Sequence, residues 1–382
     1  MRYKKFSYFF LLVYIFFFHI LESYSNSAVQ IGTYFLAFPL FLCWILESIF
    51  SKIGVFYRSE LLLIFYIFYA LLTCIWSWDI DYSFNYFFRF FSVALLYVIM
   101  LDLIRDSNRL FQTLLAYVLG VLLIAFSGLK NIIYNQSYNE WTGRFSADGF
   151  DPNNFGIILN IAVIFIYLLI FNKKIKFIFA VPIIFLFSFL ILSTGSRASL
   201  GVFVLGLFLI LLLVGVRKPI ILFMFPVFLF IFSDVLFEYI PIDSLNRAMS
   251  GVDMQDEDRF LIWRLIIDKV DGFNFLIGHG FGTTVPLIGM NAHNTFISNY
   301  FEGGFLGLLL WSAFIFYHYI IIIISIIKTK NFNAIFIFIA LISLLGALLT
   351  LNWEFRKDLF ILFAVSVLMF KFIKQSKLNP IN

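Results

Sequence analysis

The chain has 382 residues, of which 62% are hydrophobic and only 13% charged, where an ordinary soluble domain carries about a quarter charged residues. A water-soluble core cannot hide that much apolar surface, so the solvent for most of the chain is lipid. The formal net charge of +5 comes without basic patches interleaved with aromatics, which excludes a nucleic-acid binder.

A membrane-crossing helix needs about 17–25 apolar residues. On that criterion the sequence predicts an all-α, polytopic membrane helix bundle forming one domain, 1–382, with twelve spans: about 6–21, 29–50, 61–76, 88–104, 110–128, 154–171, 177–193, 198–216, 219–240, 295–327, 333–351 and 358–373. The start, MRYKKFSYFFLLVYIFFFHI, has the basic and apolar regions of a signal peptide but no small-residue cleavage site, so it reads as a retained first helix. Cys43 and Cys74 fall inside spans and read as small buried hydrophobes, with neither a disulfide framework nor metal-ligand spacing. The tenth span is too long for the bilayer and is expected to continue beyond it.

Lys and Arg set the orientation. With the N-terminus in the cytoplasm, 17 of the 27 basic residues fall inside, in short connections that each hold at least two. Both termini are then cytoplasmic, and the loops 129–153 and 241–292 face outward. The stretch from Asp256 to Gly307, which begins in the second, is the longest that is not continuously apolar.

Several polar residues of the outward side need a reason beyond topology. Arg197 lies in STGSRASLG, a short hairpin between spans seven and eight. Held at headgroup height, its rigid fork of donors suits phosphate oxygens; snorkelling or pairing with a carboxylate is the plain alternative. In the large loop, Asp256, Glu257 and Asp258 form an acidic first turn. Phe260, Leu261, Trp263, Ile266, Ile267 and Val270 then recur as an apolar face, with Trp263 as an interfacial anchor. Arg259 and Arg264 ride on this helix, and Arg264 stands four residues from Asp268, a spacing that pairs charges on a solvated face.

His293 opens span ten, where the helix dipole disfavours a charged imidazolium. A neutral imidazole facing a water-accessible cleft is what a general base for a sugar hydroxyl requires. Gly303, Gly304 and Gly307 follow it and permit close helix packing. His19 and His318 read as packing residues inside spans. His279 belongs to the turn Gly278–Gly282, GHGFG, which no strand precedes and which is therefore no dinucleotide fingerprint. Asp151 or Asn153 caps span six, with Pro152 in its first turn. The acidic cluster Asp253, Asp256, Glu257 and Asp258 lacks an established cation-loop pattern, and neither a metal nor another cofactor is expected. The sequence leaves open whether Arg89 or Arg144 joins this set.

Three stretches resemble the O-antigen ligase and polymerase family of bacterial surface-polysaccharide enzymes: SRASLG at 196–201, RFLIW from Arg259 to Trp263 followed by GHGFG, and HNTFISNYFEGGFLG from His293 to Gly307. The last follows the family pattern of His-Asn, a nine-residue gap and Gly-x-x-Gly, in which Asn294, Gly304 and Gly307 support the histidine. Twelve spans with a large outer loop between spans nine and ten fit the family layout. The resemblance implies an inverting, metal-independent glycosyltransferase of the bacterial inner membrane. It would act at the periplasmic face on an undecaprenyl-diphosphate-linked oligosaccharide. Arg197 and Arg259, with Arg264, would hold the diphosphate, and His293 would deprotonate the acceptor hydroxyl. The acceptor would be a second lipid-linked glycan for a polymerase, the reading favoured here, or lipid A-core for a ligase; a chain-length regulator is a possible partner. A flippase for lipid-linked sugars is the competing class. It predicts ionisable residues at mid-membrane and paired broken helices, whereas mid-span charges here are few and Arg197, Arg259 and Arg264 lie at the outer face.

Overall fold

The computed structural model describes residues 5–23, 27–49, 57–138, 144–213 and 254–378, and among them there are helices but no strand. An unpaired backbone group in hydrocarbon costs several kcal/mol, so apolar runs of this length close their hydrogen bonds internally as helices. In chain order these are α1 (Lys5–Ser23), α2 (Ser27–Ile49), α3 (Arg58–Thr73), α4 (Ile80–Leu103), α5 (Ser107–Ile133), α6 (Pro152–Phe171), α7 (Phe177–Ser193) and α8 (Arg197–Leu213). After them come α9 (Met254–Asp268), the short α10 (Asn274–Ile277) and α11 (Thr284–Ile288), then α12 (Thr295–Thr329), α13 (Phe332–Thr350) and α14 (Lys357–Leu378).

Seven helices among the described residues are long and apolar enough to cross a membrane, and α7, α8 and the Phe35–Ile49 part of α2 are shorter apolar helices. Eleven of the expected spans coincide with helices. The ninth, 219–240, lies outside the described residues, as does the start of the long loop through residue 253.

Two elements differ from their expected form. Helix α4 begins at Ile80 rather than near 88, because Asp79 caps it by accepting a 2.9 Å bond from the Tyr82 amide. The polar residues in DIDYSFNYFFRF dilute the hydropathy there, which hides the first two turns from an apolar-window reading. Helix α12 is not one straight rod running past the bilayer. It breaks at Gly304, whose φ of 62° and ψ of −162° are open essentially to glycine alone.

Helix α6 is the centre of the bundle, buried without a gap from Phe155 to Leu169. Helices α5, α7, α8 and α13 pack round it; α14 packs on α4, α12 and α13, and α3 lies against α12. The outward faces stay apolar: Leu61, Ile64, Phe65 and Phe68 on α3 and Val204, Leu205, Phe208 and Leu212 on α8 are all exposed, as lipid contact requires. Polar groups turn inward and pair. His19 is more than a packing residue, since its Nε2 lies 2.9 Å from Asp358 Oδ1, and Tyr117 donates to the same oxygen at 2.7 Å. His318 is buried against Ser366 and stacks on Phe363.

The connections separate into two ends. Asn172 bonds Asn333 and Lys174 bonds Asn108 at one. The segments 144–154, 194–199, 278–294 and 351–357 are joined at the other, with Glu22 pairing Arg356 at 3.4 Å and also Lys357. The second end carries the candidate site.

Candidate active site

The site is assembled where four segments meet. Asn294 caps α12, its Oδ1 accepting from the amides of Phe296 and Ile297 at 2.9 and 3.1 Å. His293 is therefore not in the first helical turn but one residue before the cap, with a φ of 50°. A left-handed conformation is uncommon for a residue with a side chain and persists where flanking bonds over-determine it. Both flanks are held. The Asn294 amide donates to Asn352 Oδ1 at 3.1 Å, and the Ala292 carbonyl accepts a 2.7 Å bond from Trp263 Nε1. Thr295 closes the joint by donating to the Leu351 carbonyl and accepting from the Trp353 amide, at 2.8 and 2.9 Å.

The bond from Trp263 fixes α9 over this point. Its buried stripe is Ile262 and Ile266, with Val270 partly buried, set against Ala292, Ile297 and Phe301. Phe260, Leu261 and Ile267, expected on that face, are exposed instead, and Trp263 is a half-buried clamp rather than a free interfacial anchor. Arg259 lies one turn before Trp263, so the two share a side of the helix. It is half-buried and within electrostatic reach of His293. Arg264 points elsewhere: its side chain is 80% exposed and lies 3.7 Å from Asp268, the pairing its spacing suggests. The side chains of Asp253, Asp256, Glu257 and Asp258 lie outside the described residues.

Arg197 stands in another of the segments joined at this end, 194–199. It starts α8 on the turn that follows Thr194, and it is half-buried. That turn is tied to the start of α6 by Arg144, which donates to the Thr194 carbonyl at 2.9 Å and to Asn153 Oδ1 at 2.8 Å. Ser199 adds a 3.2 Å bond to the Asn153 carbonyl, and Gly156 allows this approach, since a Cβ there would lie 2.5 Å from Ser199 Oγ. Arg144 thus fastens two helix ends. Asp151 caps α6, accepting from Asn153 and Asn154, and it too is within electrostatic reach of His293. Trp353 Nε1 completes the circuit with a 2.7 Å bond to Asn154 Oδ1.

These neighbours decide the state of the imidazole. Burial pushes the His293 pKa below its ordinary value, the Arg259 charge lowers it further, and Asp151 opposes both. The result is a neutral base at neutral pH with a cation beside it.

The GHGFG turn has a definite task. Where α12 breaks, the amides of His279 and Gly280 take the carbonyls of Phe301 and Glu302 at 3.0 and 2.9 Å. The contact is backbone on backbone: a Cβ on Gly304 would lie 2.4 Å from the Leu276 carbonyl carbon, and one on Gly278 would lie 2.3 Å from the Glu302 oxygen. So the end of the short α10 and the turn that follows it, not a second membrane-spanning helix, are what Gly304 admits. Gly307 does serve helix packing, facing the Tyr69 ring of α3.

Two acids passed over in the sequence lie beneath this layer. Glu302 is buried and accepts from Thr284 Oγ1 at 2.7 Å. Glu354 is 1% exposed, and among the described residues neither carboxylate oxygen has a partner at full hydrogen-bond geometry; burial first, then the Glu302 charge, pushes its pKa up to about 8, against the opposing pull of the nearby Tyr86 and Thr295 hydroxyls. A lone acid inside an apolar run, as in NYFEGGF, is the signal that marks Glu302. Glu354 carries no comparable signal, because it sits in a loop that only the fold buries.

A family model described as O-antigen ligase matches residues 182–312. The matched stretch holds Arg197, Arg259, Arg264, His293, Asn294, Gly304 and Gly307, and it supports membership of the O-antigen ligase/polymerase family with a glycosyltransferase-like function. No curated protein matches the chain.

Proposed function

From membership of the O-antigen ligase/polymerase family, which the match over residues 182–312 supports, we propose that this protein transfers a glycan from a polyprenyl diphosphate to a sugar hydroxyl. Undecaprenyl diphosphate is the carrier, the acceptor is a second lipid-linked glycan as in a polymerase, and no metal takes part. The excess of basic residues in the short connections puts both termini in the cytoplasm and the site at the periplasmic face of the inner membrane.

The observation that carries this reading is the half-buried His293, kept neutral with Arg259 and Asp151 around it. In the step we assign, the acceptor oxygen bonds to the anomeric carbon as its proton passes to His293. The bond from that carbon to the diphosphate oxygen breaks, and the electron pair leaves with the polyprenyl diphosphate. Arg197 and Arg259 stabilise the charge that develops there, the electrostatic contribution that is usually largest. Attack opposite the leaving group inverts the anomeric centre. Asn294, Gly304 and Gly307 act on His293 through the backbone they shape. Arg264 has Asp268 as its partner and is the weakest member of the proposed diphosphate set.

The test is transfer by the full chain in lipid nanodiscs supplied with the lipid-linked glycan. The wild type should release polyprenyl diphosphate and lengthen the acceptor, and His293→Ala should lose about 10²–10⁴-fold while remaining folded. Undiminished transfer by that variant removes the histidine from the mechanism. Product formed only on lipid A-core would make the enzyme a ligase, and sugar moved across vesicles without a new bond would make the protein a transporter.

A further inference from the structure

A polar stripe on α4 has no part in the site above. Because α4 starts at Ile80, Arg89 lies inside it, about 14 Å along the axis at 1.5 Å per residue. Tyr82, Asn85, Tyr86, Arg89 and Ser92 fall at helical spacings on one side, bordering a cavity of about 490 Å³. The rings of Tyr82 and Tyr86 stack at 6.1 Å and 19°. Arg89 is exposed and makes no ion pair with a described carboxylate. An arginine within a membrane-spanning helix is costly unless an anion or water meets it, and such residues mark substrate paths. Tyr86 joins the cavity to the active site: its ring lies 4.2 Å from Phe355 and 5.5 Å from Phe281. Phe355 belongs to the segment that Thr295 holds, and Phe281 to the turn over the broken helix.

The chemistry of transfer requires a second anion site. The donor bond that breaks is the one to its diphosphate, so that diphosphate must lie beside His293. The acceptor attacks with a hydroxyl at the far end of its glycan, so its own lipid phosphate is held a glycan's length away, still at the membrane. We propose that the α4 cavity is the acceptor subsite, with Arg89 pairing the phosphate of a glycan-bearing lipid and Tyr82, Asn85 and Tyr86 holding its first sugars. The order along α4 fits: the cation is deepest and the aromatic pair lies toward the active site. Aromatic faces give the apolar side of a sugar ring a packing surface, and their hydroxyls reach its polar edge. This subsite rests on the transfer reading above.

The test varies the acceptor at fixed donor, and the donor at fixed acceptor, for the full chain in nanodiscs. Arg89→Ala should raise the acceptor KM about tenfold or more, the loss of a charge-assisted hydrogen bond, and leave the donor KM unchanged. Arg89→Lys should recover part of the loss, and Tyr82→Ala should raise the acceptor KM alone. An unchanged acceptor KM, or equal rises for donor and acceptor, overturns the proposal. Running lipid A-core in place of the lipid-linked glycan shows which phosphorylated lipid the subsite takes. In parallel, a photoreactive polyprenyl-diphosphate probe is mapped on the His293→Ala protein. Label on α4 that Arg89→Ala abolishes supports the subsite even if the wild type transfers nothing, an outcome that sinks only the transfer reading. Absence of label on α4, or equal competition by phosphatidylglycerol, overturns the subsite.

Discussion

Trp263 Nε1 donates a 2.7 Å hydrogen bond to the carbonyl of Ala292, and this one contact ties the loop helix to the residue preceding the candidate base. Arg259 rides one turn away on α9, so its place within electrostatic reach of His293 depends on that bond together with the packing of Ile262 and Ile266. Trp263→Phe keeps the ring and removes the donor, leaving a buried carbonyl short of a partner, a change that costs about 1–3 kcal/mol. The expected outcome is loss of kcat/KM with little change in expression, checked by transfer kinetics beside a thermal unfolding curve in detergent.

The acidic limb of the pH profile should report His293. Its pKa lies below the ordinary value, through burial and then the Arg259 charge, so the neutral base persists to lower pH than a free imidazole allows. Activity is then full above that lowered pKa and falls as pH drops through it. Arg259→Gln removes a positive neighbour, raises the pKa and moves the limb to higher pH. Asp151→Asn removes a negative one and moves the limb lower, while asparagine still caps α6. Limbs of kcat/KM that stay fixed in both variants would disprove the assignment of this limb to His293.

Arg259 and Arg264 should separate sharply. Removing a preorganised donor from a developing oxyanion costs about 10²–10³-fold, so Arg259→Ala is expected to fall in that range. Arg264 is 80% exposed and paired with an exposed Asp268, and such pairs contribute about 0–1 kcal/mol. Arg264→Ala should leave transfer near the wild-type rate; a loss as large as that of Arg259→Ala would return it to the diphosphate site.

The glycines make a second contrast. Alanine at 304 meets backbone at 2.4 Å under a φ of 62°, and neither the turn nor the helix can yield, so Gly304→Ala should unfold the site and abolish activity. Alanine at 307 meets the Tyr69 ring at 3.3 Å, which can shift, and the Asn299 carbonyl at an ordinary 3.5 Å, and it gains about 0.8–1.0 kcal/mol of helix propensity. Thermal midpoints of the two purified variants should differ by many degrees.

Glu354 should leave a mark on stability. Its folded pKa of about 8 stands above the ordinary carboxyl value of 4.5, so the folded state holds the proton more tightly. Stability is therefore unaffected below the unfolded pKa and declines as pH rises from there through the folded pKa. Glu354→Gln should flatten that decline over the same window, read as a smaller fall in Tm between mildly acidic and alkaline buffer.

Much of the bundle was legible because hydrocarbon leaves an apolar chain one option. The Asp151 cap with Pro152 after it, and the Arg264–Asp268 spacing, are local chemistry and read directly. Hydropathy by itself starts α4 near 88, because Asp81, Ser83 and Asn85 resemble a loop, although Asp79 caps a helix there. Periodicity puts Phe260 and Leu261 on the apolar face of α9, yet both are exposed, since periodicity alone does not say which side meets protein and which lipid. Both are apolar solvents to the sequence.

Composition and the pattern of charges determined by themselves that this chain is a helical membrane bundle, and local motifs singled out Arg197, Arg259 and His293. Only the tertiary structure decided that Asp151 and Arg259 flank the histidine, that Arg144 fastens rather than faces the cleft, and that Gly304 breaks α12 to receive the GHGFG turn. The reason is range. Solvent preference and capping act within a few residues and are written locally. The state of His293 is set by charges and burial supplied from α6 and α9, whose distance along the chain carries no record of their nearness in space.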